Sequence, residues 1–235
     1  MKCEDVYRIF FKPGEVTEIR AYGLSKQSVA WEGWAGGSGV VYGYFDNAKA
    51  FGKAAQALEK ARSPGIYFTL NPTIPDLLAR AANRLKASGS KPVQTSDRDI
   101  LCIRWIPLDF DPVLPAGISS TEKELKAAQK MRNDVARWLK KEMNAADGIP
   151  AVSGNGAHYL LRAPDMPNTD ETKEKVKAIL QGLAAQFPAA DVKIDEMVFN
   201  ASRIWKLYGT TARKGDHTEN RPHRRSFIAD KFLRG

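Results

Sequence analysis

The chain has 235 residues, 43% of them hydrophobic, and 36 lysines and arginines against 27 aspartates and glutamates, for a net charge of +9. That is enough apolar chain for one large domain or two joined modules with a real core. The basic surplus points to a polyanionic partner, nucleic acid or nucleotide, with a plain basic soluble protein as the alternative. Two cysteines, Cys3 and Cys102, are too few for a zinc ribbon and argue against a disulfide framework. The start, Met1 to Asp5, lacks the form of a signal peptide, and no apolar run approaches membrane-spanning length. A soluble cytoplasmic protein without a membrane partner is expected.

In chain order, residues 16–22 alternate and predict a strand, and residues 39–45 predict a second. Asp46 is placed to cap a helix through Ala48, Phe51, Ala54, Leu58 and Ala61, which Pro64-Gly65 ends. Residues 66–70 predict a third strand. Thr73 then caps a helix whose Ile74, Leu77, Leu78, Ala81 and Leu85 fall on one stripe. The polar, turn-forming stretch Ser88-Gly89-Ser90-Lys91-Pro92 is the best internal boundary. It divides an N-terminal α/β module, residues 1–90, from a second module, residues 91–235. Being short, it joins modules that pack as one compact domain.

The second module opens with a strand over residues 100–108. Thr121-Glu122-Lys123-Glu124 has capping-box form and starts a long helix to about Asn144, with Leu125, Ala128, Met131, Val135, Trp138 and Leu139 inward. Residues 149–152 predict a short strand, Gly154-Asn155-Gly156 a turn, and residues 157–161 the returning strand. A second helix runs from Asp170 to about Gln186, with Val176, Ile179, Leu180 and Leu183 on one side. Residues 192–195 predict the last strand. Strand, helix, strand, strand, helix, strand is the split β-α-β order of ferredoxin-like and RNA-recognition (RRM-like) domains, so the fold class is α+β. In the usual sheet order the first strand lies between the third and fourth, which brings its end beside His158 and Asp195.

That end is Asp109-Phe110-Asp111. Strand side chains alternate, so the two carboxylates share a face and Phe110 enters the other. Carboxylates so close repel, and a divalent cation is the usual means of keeping them ionised. A solvated strand end with Asp-Pro opening a turn is the other reading of this fragment. The run Ser153-Gly154-Asn155-Gly156-Ala157-His158 suits a tight turn with positive φ, whose backbone N–H groups can hold a phosphate, although a hairpin turn needs no function. Asp195 is either a third carboxylate of a metal site or a cap for the turn after it. Arg203 and Lys206 alternate with Ile204, Trp205 and Leu207, as cations over a packed base. From Arg203 onward nine basic residues stand against three acidic ones. Lys214, Arg221, Arg224 and Arg225 there form a basic loop, for nucleic acid or merely for solvent.

Three carboxylates, a histidine, a glycine turn and several cations fit one chemistry. Two metal ions activate a 3′-hydroxyl and bind a nucleoside triphosphate, and in-line attack on the α-phosphorus expels pyrophosphate. A metal-dependent nuclease needs the carboxylates but has less use for a triphosphate cradle. A non-catalytic nucleic-acid-binding domain of a replication initiator needs only the basic tail. No His-x-His pair is present for an HUH-type nicking enzyme.

Taken together, these residues resemble the archaeo-eukaryotic primase superfamily, the primase-polymerases, in its plasmid- and phage-type branch. That family's acidic D-x-D/E pair, its Ser-x-His and its aspartate after a hydrophobic residue are matched by Asp109-Phe110-Asp111, the Ser153-to-His158 run and Ile194-Asp195. The branch's Asn-x-x-Arg-x-x-Lys-x-x-Gly-Thr stretch followed by Lys-Gly is similar to Asn200, Arg203, Lys206, Gly209, Thr210, Lys214 and Gly215. Thr69-Leu70-Asn71-Pro72 and Glu18-Ile19-Arg20 resemble its N-terminal module. The resemblance implies an N-terminal α/β module packed against an RRM-like catalytic module. It implies that Asp109, Asp111 and Asp195 hold two Mg²⁺ or Mn²⁺ ions, with no zinc. His158, Arg203 and Lys206 would contact the nucleotide, with the turn Ser153, Gly154 and Asn155. The implied activity is a primase-polymerase that makes or extends primers on single-stranded DNA from (d)NTPs, often with a helicase fused or associated. One departure is Gly156, where the motif has serine, which leaves Ser153 or a backbone amide to make the serine's contact.

Overall fold

The computed structural model describes residues 1–24, 39–89 and 94–229. Ser90, Lys91 and Pro92 of the expected boundary lie outside the described residues, as do Asp230, Lys231 and Arg234 of the basic end. The elements in chain order are α1 (Cys3–Phe10), β1 (Thr17–Tyr22), β2 (Val41–Phe45), α2 (Ala48–Lys60), β3 (Gly65–Thr69), β4 (Lys86–Ala87) and β5 (Ile103–Pro112). After them come α3 (Glu122–Glu142), β6 (Ile149–Val152), β7 (Ala157–Met166), α4 (Asp170–Gln186) and β8 (Val192–Ile194). The last four are β9 (Ile204–Lys206), β10 (Thr211–Ala212), β11 (Arg224–Arg225) and β12 (Phe227–Ile228). Two compact units result: Met1–Cys102 with Ala201–Thr211, and Ile103–Asn200 with Ala212–Gly235. The first unit thus takes back a later piece of chain, so the division follows strand pairing and not one point in the sequence.

The first unit holds a five-stranded antiparallel sheet in the order β4-β2-β1-β3-β9. Ile19, Ala21, Phe45, Ile66, Phe68 and Trp205 are buried on one face, which α1 and α2 cover with Val6, Phe10, Phe51 and Leu58. The Phe68 ring lies 5.4 Å from that of Phe10 and 6.3 Å from that of Phe51. Each such buried ring contributes roughly 1.5–3 kcal/mol.

Two expectations for this unit are corrected. The cap of α2 is Asn47, whose side chain accepts from Ala50 N, and not Asp46. Asp46 Oδ1 instead accepts from the amides of Asn47 and Asn83 at 3.2 and 2.8 Å; adjacent Asp and Asn are equally good caps, and sequence alone does not choose between them. The helix expected after Thr73 is a 3₁₀ helix, Pro75–Arg80, and Lys86–Ala87 leaves it to pair with β2. Thr73 is held by the sheet, its hydroxyl donating to Val16 O at 3.2 Å. Leu77 and Ala81 still bury against Val16, Tyr42 and Tyr44. The apolar stripe was real, but over so few residues its period does not separate α from 3₁₀.

The sheet's other face buries a charged pair. Arg20 Nε and Nη2 each donate to Glu18 at 2.6 Å, and Glu18 is fully buried. Thr95 donates its hydroxyl to the same carboxylate and meets the Tyr44 hydroxyl at 3.0 Å. Such a pair is sensitive to the loss of one member, since the remaining charge has no water. Arg20→Met should therefore lower the unfolding free energy by about 3–5 kcal/mol in urea titrations. The double change Glu18→Gln with Arg20→Met should recover most of that loss. A single-variant loss under about 1 kcal/mol, the scale of an exposed pair, would overturn this assignment.

The second unit holds a sheet in the order β12-β6-β7-β5-β8. β5 lies between β7 and β8, as the strand–helix order predicts. It begins at Ile103, later than expected, and runs through the two aspartates to Pro112. Leu108, Phe110, Val192 and Ile194 are buried on the face that α3 and α4 cover. Thr121 and Glu124 form the expected capping box of α3. Leu125, Ala128, Val135 and Leu139 are its buried residues, while Met131 and Trp138 are only half-buried. On α4, Val176, Leu180 and Leu183 are buried and Ile179, on the flank of that stripe, is exposed. The fold class is α+β. Among the described residues no helix is long and apolar enough to cross a membrane.

Candidate metal centre

Strand register assembles the site within the second unit. Asp109 opposes His158 across β5 and β7, and Asp111 opposes Lys193 across β5 and β8. Facing residues share a side of the sheet, so all four point away from Phe110 and the helices. The ladder continues one residue past β8, where Asp195 N donates to Asp109 O at 2.9 Å. One carboxylate oxygen from each of Asp109, Asp111 and Asp195 lies within 4.8 Å of the others. The sequence left Asp195 as a ligand or as a turn cap, and its geometry serves each: Oδ1 accepts from Met197 N at 2.9 Å.

Electrostatics there are unfavourable without a counter-charge. The Asp109 charge, then burial, then Asp195 push the Asp111 carboxyl from its ordinary 3.8 up to about 7, against the pull of Lys193 and Lys214. Asp109 Oδ1 is buried without a hydrogen-bond partner and lies 3.4 Å from His158 Nε2. The imidazole itself is 3% exposed. A carboxylate oxygen with no donor, inside a group of three acids, suits a hard divalent cation that takes oxygen ligands. Asp109, Asp111 and Asp195 are the residues that would hold it.

The turn before His158 is stapled from within. Ser153 Oγ accepts from Gly156 N at 2.9 Å, and Ser153 N donates to Gly156 O at 3.0 Å. Asn155 Oδ1 accepts from Ser120 N at 3.1 Å, tying the turn to the residues before α3. Gly154 has φ +108, and a Cβ there would meet Arg224 O at 2.9 Å. A Cβ on Gly156 would lie 2.7 Å from Phe110 O and 3.0 Å from Asp111 Oδ1. A serine side chain at 156 would therefore meet the backbone of β5, and the Gly156 amide is held by Ser153 Oγ from three residues away.

The expected cations belong partly to each unit. Arg203 and Lys206 belong to the first unit, where Arg203 O accepts from Leu70 N. Lys206 Nζ donates to Thr211 O at 3.1 Å and sits 5.8 Å over the Tyr67 ring. In the second unit Lys214 acts electrostatically on Asp111. Arg221 donates to the two Glu124 oxygens at 2.9 and 3.1 Å and to Ser119 O at 2.7 Å. That guanidinium holds the Glu124 carboxyl below its usual range. Arg224 donates to Ser120 O at 2.7 Å, and Arg225 is exposed. Arg221 and Arg224 therefore anchor their loop to the start of α3. Sequence reading missed this anchoring and the position of Lys193 opposite Asp111, although strand alternation puts Lys193 on the same face as Asp195.

A raised Asp111 pKa fixes the sign of two pH effects. Between about pH 4 and 7 the folded state holds a proton that the unfolded chain has released, so this group's contribution to stability falls as pH rises. Without divalent cation, Asp111→Asn should raise the melting temperature at pH 8 more than at pH 5. In wild type, Mn²⁺ affinity measured by calorimetry should climb by about tenfold per pH unit up to about 7, one proton being displaced. A pH-independent affinity would contradict the site. Gly156→Ala should cost about 1–3 kcal/mol through the contact with Phe110 O and weaken Mn²⁺ binding, while Ala157→Gly, which faces Phe110 on the side of the sheet away from the carboxylates, should leave the metal response in place.

No protein-family model and no curated protein matches the sequence. In fold the chain is similar to the AEP domain of the cyanophage S-2L primase-polymerase, at 10% identity and a TM-score of 0.46, over 95% of this chain and 85% of that one. It is similar to the polymerase domain of Mycobacterium tuberculosis ligase D in complex with DNA, at 13% identity and a TM-score of 0.49, over 98% and 84%. It is similar as well to primase RepB′, at 10% identity and a TM-score of 0.47, over 97% of this chain and 54% of that chain.

Proposed function

We propose that this chain is a primase-polymerase of the archaeo-eukaryotic type, a nucleotidyltransferase that makes or extends primers on single-stranded DNA from (d)NTPs. One observation carries the reading: three carboxylates from β5 and the end of β8 gather within 4.8 Å of one another, with His158 3.4 Å from Asp109. Asp109, Asp111 and Asp195 would hold two divalent cations, Mg²⁺ or Mn²⁺. Such ions, when bound, supply Lewis acidity and neutralise phosphate charge.

The chain's own residues supply the rest. Antiparallel pairing on two sides of β5 fixes the carboxylates before substrate arrives, so little reorganisation accompanies reaction. His158, held in the sheet, donates to a phosphate oxygen of the nucleotide. Gly154 and Asn155 present backbone N–H groups to the same phosphates, and Lys193 and Lys214 balance their charge. The primer 3′-oxygen bonds to the α-phosphorus as the bond to the β-phosphate oxygen breaks. The hydroxyl proton leaves to solvent, and pyrophosphate departs.

Incubation with primed and unprimed single-stranded template, Mn²⁺ and labelled nucleotides tests this. Extension products are expected from wild type. Asp109→Ala with Asp111→Ala should abolish them while template binding persists. Shortened strands would favour a metal-dependent nuclease instead, and synthesis that survives the double change would remove the carboxylates from the chemistry.

A further inference from the structure

Two open grooves, each of about 680 Å³, run beside helices in the two units. The groove along α3 is lined by Lys126, Lys130, Arg137 and Lys140, but also by Asp134 and Asp147. Asp134 pairs with Lys130 at 2.8 Å and with Arg137, and Asp147 accepts from Lys140 at 3.1 Å. Those cations are largely neutralised where they stand. The groove beside α2 is different: Lys49, Lys53 and Arg84 line it, with Asn47 and Asn83, and no carboxylate does. Lys49 and Lys53 lie one turn apart on α2 and are exposed. The nearby acid, Asp46, has its Oδ1 occupied by the Asn47 and Asn83 amides.

This groove is also built in advance. Asn83 is held at φ +51, its N donates to Tyr44 O at 2.8 Å, and Tyr44 N donates to Ala81 O at 3.1 Å. A Cβ on Gly43 would come within 2.2 Å of Arg84 O, so the Arg84 backbone lies directly on β2. The wall opposite α2 therefore needs no ordering when a ligand arrives, which removes one cost of binding. Ala50, Ala54 and Leu85 give the floor an apolar character.

We propose that the α2 groove of the first unit is a docking track for the phosphodiester backbone of single-stranded nucleic acid, with Lys49 and Lys53 as its phosphate contacts. An accumulation of cations without acids attracts a polyanion, and each phosphate neutralised on a single strand adds about 0.7 to the salt slope of binding. Choosing nucleic acid as that polyanion rests on the primase-polymerase reading.

The test is fluorescence anisotropy of a labelled oligothymidylate with the full chain across a salt series. Lys49→Gln with Lys53→Gln should weaken binding and flatten the slope by about 1.4, two contacts being lost. Lys53→Glu should weaken it further than Lys53→Gln. Lys126→Gln with Lys130→Gln, in the neutralised groove, should leave the slope as in wild type. The proposal is overturned by an unchanged slope in the α2 variant, by an equal loss in the α3 variant, or by a wild type that binds no oligonucleotide. Primer extension separates the two readings. A wild type that makes no products but loses its slope on Lys49 and Lys53 replacement keeps the groove and removes the polymerase. One that extends primers with a slope indifferent to those lysines does the reverse.

Discussion

Repulsion among three carboxylates is the constraint around which the second unit is arranged. Nothing in the packing of α3 and α4 on the sheet demands that Asp109, Asp111 and Asp195 meet. They meet because strand alternation turns two of them the same way and because the β5–β8 ladder runs one residue past β8 to Asp195. The burial of Phe110, Leu108 and Ile194 on the opposite face holds that register, since a slip of one residue would bury the acids and expose the core. Apolar packing thus holds in place a charge arrangement that opposes itself. Asp111, pushed up to about 7 chiefly by Asp109, is where that opposition shows.

Side chains around this cluster divide into those that touch it and those that keep it in place. Ser153, Asn155, Arg221 and Arg224 are polar or cationic and stand near motif residues, yet their hydrogen bonds go inward, to Gly156, Ser120, Glu124 and Ser119. They fix the turn before His158 and the loop that carries Lys214. Lys193, by contrast, is exposed and directly opposite Asp111. Charge type alone does not distinguish the two groups; the partner of each head group does.

Much of this was legible in the sequence because it rests on local rules. Period-two alternation put Asp109 and Asp111 on one face, the Thr121–Glu124 box started α3 at the right residue, and the strand–helix order placed β5 between β7 and β8. What was not legible depends on contacts distant in sequence. Thr73 is claimed by Val16, Arg221 by Glu124, and the close approach of Phe110 O to Gly156 appears only once β5 and β7 are paired. Local patterns also fail where two answers are equally good, as with Asp46 and Asn47 before α2, or where a stripe is too short to tell an α-helix from the 3₁₀ helix at Pro75–Arg80.

The return of Ala201–Thr211 to the first unit bears on how the chain folds and how it can be dissected. β9 pairs with β3 at the sheet's end, and without it β3 would present its unpaired N–H and C=O groups to solvent. A fragment ended at Cys102 would therefore carry an adhesive border open to other chains. During synthesis the same border stays uncovered until about a hundred further residues have emerged, so the earlier half of the polypeptide completes its architecture only after the later half has largely been made.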